Sequence, residues 1–162
     1  MERKDFTDEE WKTLQFGPYW AFMAVAAQDR SLDPAEKDAL VNALNASDAV
    51  QGELGREVMK SVAETQVTVF SAWQADDRSP ADGLTAIRQI LTKVDADEAR
   101  RYKGALIWLG VSVAESSGAW LGGNVSDRER AAIQTVAEML AYNVSDAVAA
   151  TDSAEVKKAL LR

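Results

Sequence analysis

The side chains in this chain that could do chemistry are carboxylates. Its 162 residues include 26 Asp and Glu but no Cys and no His. A thiol nucleophile is therefore excluded, as is the imidazole base that titrates near neutral pH. Zinc centres built on Cys and His, haem held by His, and iron–sulfur clusters are excluded for the same reason. A metal could be held only by oxygen, from carboxylates, amides, hydroxyls and carbonyls, and that donor set suits Ca²⁺, Mg²⁺ or Mn²⁺.

Asp29 and Glu115 each close an apolar helical run. A negative charge there opposes the helix dipole, so the placement invites a compensating cation or a neighbouring arginine such as Arg30. Glu36 and Glu129 stand three residues after Asp33 and Ser126. That is capping-box spacing, which satisfies free amides at a helix start. An EF-hand is excluded. Counting from Asp29, Ser31 and Asp33 fit, but Ala35 is unsuited and the twelfth position is Leu40. Any cation site would have to draw its ligands from separate loops. The glycine-rich loop from Glu115 to Asn124, ESSGAWLGGN, is not a phosphate loop, because it lacks the lysine motif and follows a helix. Its Trp120 either anchors the loop on the core or, if exposed, is a binding hot spot.

The elements that must position these residues read as helices. Thr7/Glu10, Asp33/Glu36, Ser79/Asp82, Asp95/Glu98, Ser126/Glu129 and Asp152/Glu155 all pair a small polar cap with an acid three residues on. Pro34 and Pro80 follow two of these caps, at the first helical position. The pattern predicts a helix after Thr7 carrying Trp11 and Leu14, interrupted at Gly17-Pro18, and then a second, all-apolar helix from Tyr19 to Ala27. Further helices are expected from Pro34 to Ala46, from about Val50 through Trp73, from Pro80 to Val94, from Ala96 through the central run Tyr102–Ala114, and from Asp127 to Tyr142. A last short helix is expected over Ser153–Leu161. The run YKGALIWLGVSVA is apolar on every side from Gly104 onward but too short to span a bilayer, so it should be a central helix wrapped by others. Arg100, Arg101 and Lys103 form a solvated face or pair with Asp95, Asp97 and Glu98.

The fold expected is all-α, one domain over 1–162, with seven or eight helices around Tyr19–Ala27 and Tyr102–Ala114. Two stretches, about 16–46 and 102–142, share one layout: an aromatic residue opening an apolar helix, an acidic loop, and a capped amphipathic helix. Two such hairpins would bring their acidic loops to one end if they run the same way, and to opposite ends if inverted.

At Ala27-Gln28-Asp29-Arg30-Ser31-Leu32-Asp33-Pro34-Ala35-Glu36 the chain resembles the TerB-like family, helical domains named for tellurite-resistance proteins. Arg30 stands where that pattern has glycine. The second copy, Ala114-Glu115 and then Val125-Ser126-Asp127-Arg128-Glu129, has Glu for Asp and a longer loop. The resemblance implies an all-α fold, a stress-response context, and a divalent cation such as Ca²⁺ or Mg²⁺ held by acidic residues. The matching positions are Asp29, Glu36, Glu115 and Glu129, with Asp33 and Asp127 weaker.

The net charge is −8, and residues 1–81 carry 15 acids against 8 bases. That argues against nucleic acid or an anionic membrane as partner. The start, MERKDFTDEE, has no apolar signal region, so the cytoplasm is the default location. The function expected is a non-catalytic binding or sensor module. One alternative is a structural or protein-interaction domain without a small ligand, showing an apolar patch around Trp11, Trp73 or Trp120. A lesser alternative is a metal-dependent hydrolase, which needs two carboxylates at an open cation position inside a pocket.

Overall fold

A computed structural model describes residues 2–26, 34–46, 52–116 and 127–142, and every regular element among them is helical. The helices are α1 (Asp8–Ala26), α2 (Pro34–Asn45), α3 (Glu53–Glu64), α4 (Gln66–Gln74), α5 (Pro80–Ile90), α6 (Ala96–Ser116) and α7 (Asp127–Met139). Short 3-10 turns occupy Arg3–Asp5 and Leu91–Lys93. The fold is all-α, as expected. The helix expected over 153–161 lies outside the described residues. None of the described helices is long and apolar enough to cross a membrane.

Gly17-Pro18 does not break the chain into two helices. Pro18 lies inside α1, which runs unbroken from Asp8 to Ala26. The reason is local. Proline has no N–H, so the carbonyl four residues back, that of Leu14, loses its helical donor. The Tyr102 hydroxyl of α6 donates to that carbonyl at 2.6 Å, and both residues are fully buried. Gly17 admits the tyrosine, since a Cβ there would lie 2.8 Å from the Tyr102 oxygen and 3.0 Å from Leu106.

α6 is the enclosed helix that its composition predicts, with Tyr102, Leu106, Ile107 and Leu109 all buried. It packs on α1, α2, α3 and α7. Three contacts fix its direction relative to α1. Lys93, just before α6, reaches the Asp5 carbonyl and the Glu10 carboxylate; Tyr102 reaches Leu14; and Leu106 lies beside Gly17. The order rises in both helices, so α1 and α6 run in the same direction. α5 runs against α1, with Ile87 beside Gly17 and Gly83 against Trp20. A Cβ at Gly83 would lie 2.3 Å from the Trp20 ring, so only glycine lets α5 approach this closely. α7 returns along α6, its trailing Tyr142 against Gly104.

The single helix expected from Val50 through Trp73 is two helices. The division falls at Thr65, where φ is −127° and ψ 30°. The Thr65 hydroxyl donates to the Ser61 carbonyl at 2.7 Å, and its N–H is shared between the Ser61 and Val62 carbonyls. Hydroxyl groups bonded back to the preceding turn bend helices, and a β-branched run follows this one.

The described caps largely follow the sequence. Thr7 and Glu10 exchange side-chain and backbone bonds at 2.9 and 3.1 Å, and Ser79 accepts from the Asp82 N–H. Asp95 accepts from the Asp97 and Glu98 amides, but Glu98 does not bond back to its own cap. Its carboxylate instead accepts from the Glu53 and Leu54 amides at 3.0 and 3.1 Å. The cap of α3 is Gly52, which has φ +96° and no side chain, so α6 supplies the missing acceptor.

Tyr102→Phe should destabilise the protein by about 1–3 kcal/mol, the cost of a buried carbonyl left without a donor. In a Pro18→Ala background the restored amide serves Leu14, so the same change should cost at least ~0.5 kcal/mol less. Denaturant unfolding of the four proteins measures this coupling. An equal cost in both backgrounds would refute this account of α1.

Candidate functional site

The acids singled out from the sequence fall at the edges of what the structure describes. Asp29 and Trp120 lie outside the described residues. Glu36, Glu115 and Glu129 lie on α2, in the last turn of α6 and in the first turn of α7, but their side chains are also outside the described set. Among the described residues no group of three or more acids is placed to hold a metal ion. Trp11 and Trp73, two of the residues around which an apolar patch is expected, have their indoles buried in the core. Val67 is the one exposed large hydrophobic side chain among the described residues, at 77%.

Val67 marks the rim of a groove. α2 packs on α6 and α3, whereas α4 packs mainly on α1. Between α2 and α4 lies a space of about 280 Å³, walled by Leu40, Val41 and Leu44 on one side and by Val67 and Phe70 on the other. Tyr19 of α1 lies behind it, stacked on Trp73 at 5.1 Å and 20°. The Phe70 ring stands 5.7 Å from each of them. Burial pushes the Tyr19 hydroxyl up to about 12, so it stays neutral. Among the described residues the one charged side chain lining the groove is Lys37, whose ammonium lies 5.3 Å from the Phe70 ring centre. An apolar wall with one described cation at its edge suits an amphipathic ligand.

A second opening, of about 640 Å³, is polar and lies between the start of α1, the 75–79 loop and α5. Arg78 dominates it. Its guanidinium makes two-pronged bonds to Asp76 at 3.0 Å, donates to Thr13 at 3.2 Å, and lies 4.9 Å over the Trp20 ring. Glu10, across this opening, is engaged by Lys93 at 2.6 Å and by the Thr7 amide. These bonds brace the loop against α1 and position no reactive group.

The third opening, of about 370 Å³, is basic, with Arg100 and Lys103 on one side and Ala141 and Tyr142 on the other. Arg100 and Arg101 both pair with Asp97, one of the acids expected to partner them. Burial, followed by the neighbouring Arg88, lowers the Lys103 ammonium below its ordinary range. Ala141 adopts φ 52°, which ends α7 and turns Tyr142 back toward Gly104.

The sequence reading missed the groove. In the sequence, Val69, Phe70 and Trp73 continue one helical stripe, and Leu40, Val41 and Leu44 share one face of the helix from Pro34, and neither pattern marks a site. The available signal was Val67, which falls off that stripe and has no helical reason to be apolar.

Comparison with known proteins yields one relative and no family. No family model matches the chain, and no solved structure matches it. The chain is 28% identical over 136 residues to a curated protein of Methanothermobacter thermautotrophicus described as "Uncharacterized protein ORF11'". The alignment covers 83% of this chain and 88% of that protein.

The described ion pairs carry a pH signature. The Lys93 ammonium, with the Thr7 amide, lowers the Glu10 carboxyl from its ordinary 4.5, and Arg101 with Arg100 lowers Asp97 from 3.8. A carboxyl depressed in the folded state contributes stability that is full above its unfolded value and is lost as pH falls through the lowered one. The thermal midpoint should therefore fall on acidification below those values, and Glu10→Gln with Asp97→Asn should flatten the curve. Parallel curves for the two proteins would remove these pairs from the explanation.

Proposed function

We propose that the chain is a non-catalytic helical binding module of the TerB-like kind. In this reading it works in the cytoplasm, in a stress response, and holds a divalent cation, Ca²⁺ or Mg²⁺, through the acids that follow its two central helices. The observation that supports this reading is the common direction of α1 and α6, fixed by the Lys93, Tyr102 and Leu106 contacts. Ala26 and Ser116 therefore end at the same end of the bundle. Asp29 is three residues beyond Ala26, and Glu115 is in the last turn of α6. α7 runs back along α6, so its first turn, with Glu129, starts from that end too. A common direction of the two helices is what hairpins running the same way require, the arrangement in which both acidic loops are expected at one end. With no Cys or His in the chain, the donors on offer are oxygens, which suit hard cations.

A second reading, a protein-interaction domain with no small ligand, is favoured by the exposed Val67 and the groove beside it.

Thermal unfolding in EDTA, compared with millimolar Ca²⁺, Mg²⁺ or Mn²⁺, tests the cation reading. A cation at 100 times its Kd adds about 2.7 kcal/mol. At this size that raises the midpoint by roughly 2–4 °C for each kcal/mol gained. The rise should vanish in an Asp29→Ala, Glu115→Ala double variant. A midpoint unmoved by all three cations would end this reading.

A further inference from the structure

We propose that the groove between α2 and α4 binds an aliphatic carboxylate of medium length, with its chain against Leu40, Leu44 and Phe70 and its carboxylate at Lys37. The proposal uses none of the acids of the cation reading and stands or falls apart from it.

Three features of the groove choose this occupant. The first is size. At about 280 Å³ the space lies at the small end of ligand cavities, so it suits one aliphatic chain of medium length better than a large ligand. The second is the wall. Leu40, Val41 and Leu44 face Val67 and Phe70, and the rings of Tyr19 and Trp73 stack behind. Tyr19 is neutral at physiological pH, so nothing at the back of the groove demands a charged partner. The third is charge. In a chain of net charge −8, the one charged group lining this groove among the described residues is a cation, placed at the edge over the Phe70 ring. One apolar slot with one cation at its edge complements a ligand with one tail and one anionic head. A cationic amphiphile would meet Lys37 as a like charge, and a neutral one would leave it unused.

The test is calorimetric titration with decanoate below its micelle concentration, in EDTA so that no cation contributes. Decan-1-ol and decyltrimethylammonium serve as controls on the same protein. Decanoate should bind saturably at one site, more tightly than the alcohol, and the trimethylammonium compound weakest. Lys37→Glu replaces an attraction by a repulsion and should weaken decanoate by about tenfold or more. Ser71→Trp, at an exposed α4 position on the groove lining, should block binding while leaving helical content and cooperative melting intact. Absence of saturable decanoate binding to the unaltered chain would overturn the proposal, as would equal binding of all three ligands. Self-association that Ser71→Trp abolishes, without decanoate binding, would also overturn it and make a second copy of the chain the occupant.

Discussion

The described structure depends on one hydrogen bond, from the Tyr102 hydroxyl to the Leu14 carbonyl. It repairs the defect that Pro18 leaves in α1 and ties the two buried helices at a point where neither can reach water. Its neighbours are fitted to it. Gly17 makes room for the tyrosine, Leu106 lies beside that glycine, and Ile87 of α5 closes the other side. Burial raises the Tyr102 hydroxyl well above the ordinary tyrosine range, so it remains a donor at any physiological pH. A proline that should break a helix is thereby built into its middle.

That interaction also explains what could be read from the sequence. The all-apolar runs in α1 and α6, the Thr7/Glu10 box and the Ser79 cap concern residues close together in the chain, and each is present. The continuity of α1 was not legible, because the donor that permits it lies 88 residues away. The same holds for Glu98. Its spacing from Asp95 matches a capping box, yet its carboxylate serves the bare start of α3, beside the side-chainless Gly52. Local spacing identifies groups able to cap a helix, and tertiary packing decides which helix they cap. The candidate cation ligands posed a different problem. Asp29, Glu36, Glu115 and Glu129 came from a resemblance carried by short motifs, and one relative at 28% identity adds nothing about what they hold.

Much of the described surface charge is used internally. Arg78 is spent on Asp76, Thr13 and the face of Trp20, Lys93 on Glu10, and Asp97 on two arginines. Such half-exposed pairs contribute modestly one at a time; those of Asp97 lie within α6, but Arg78 and Lys93 each span a junction. Arg78 pins the 75–79 loop to α1, and Lys93 pins the turn before α6 to the start of α1. Both central helices are thus held in register at their N-terminal ends.

The division at Thr65 has the larger consequence for function. In a straight helix, Val62, Val69 and Trp73 would still share one stripe, since they are separated by seven and four residues. The division is therefore not needed to bury them. What it changes is the local path of the chain, at the non-helical dihedrals of Thr65. α3 packs on α1, α2 and α6, whereas α4 turns onto α1, where Trp73 stacks on Tyr19. The hydroxyl of Thr65 adds a second bond to the Ser61 carbonyl, beside that of its own N–H. Once α4 follows α1, it separates from α2, and the apolar sides of both line an open slot with Val67 at its rim. A helix bundle selected for stability alone gains by closing such a slot, because apolar area left in water forgoes about 25 cal/mol per Å². The groove lies beside the division at Thr65, and its cost in unburied surface is a physical reason to look for a ligand there.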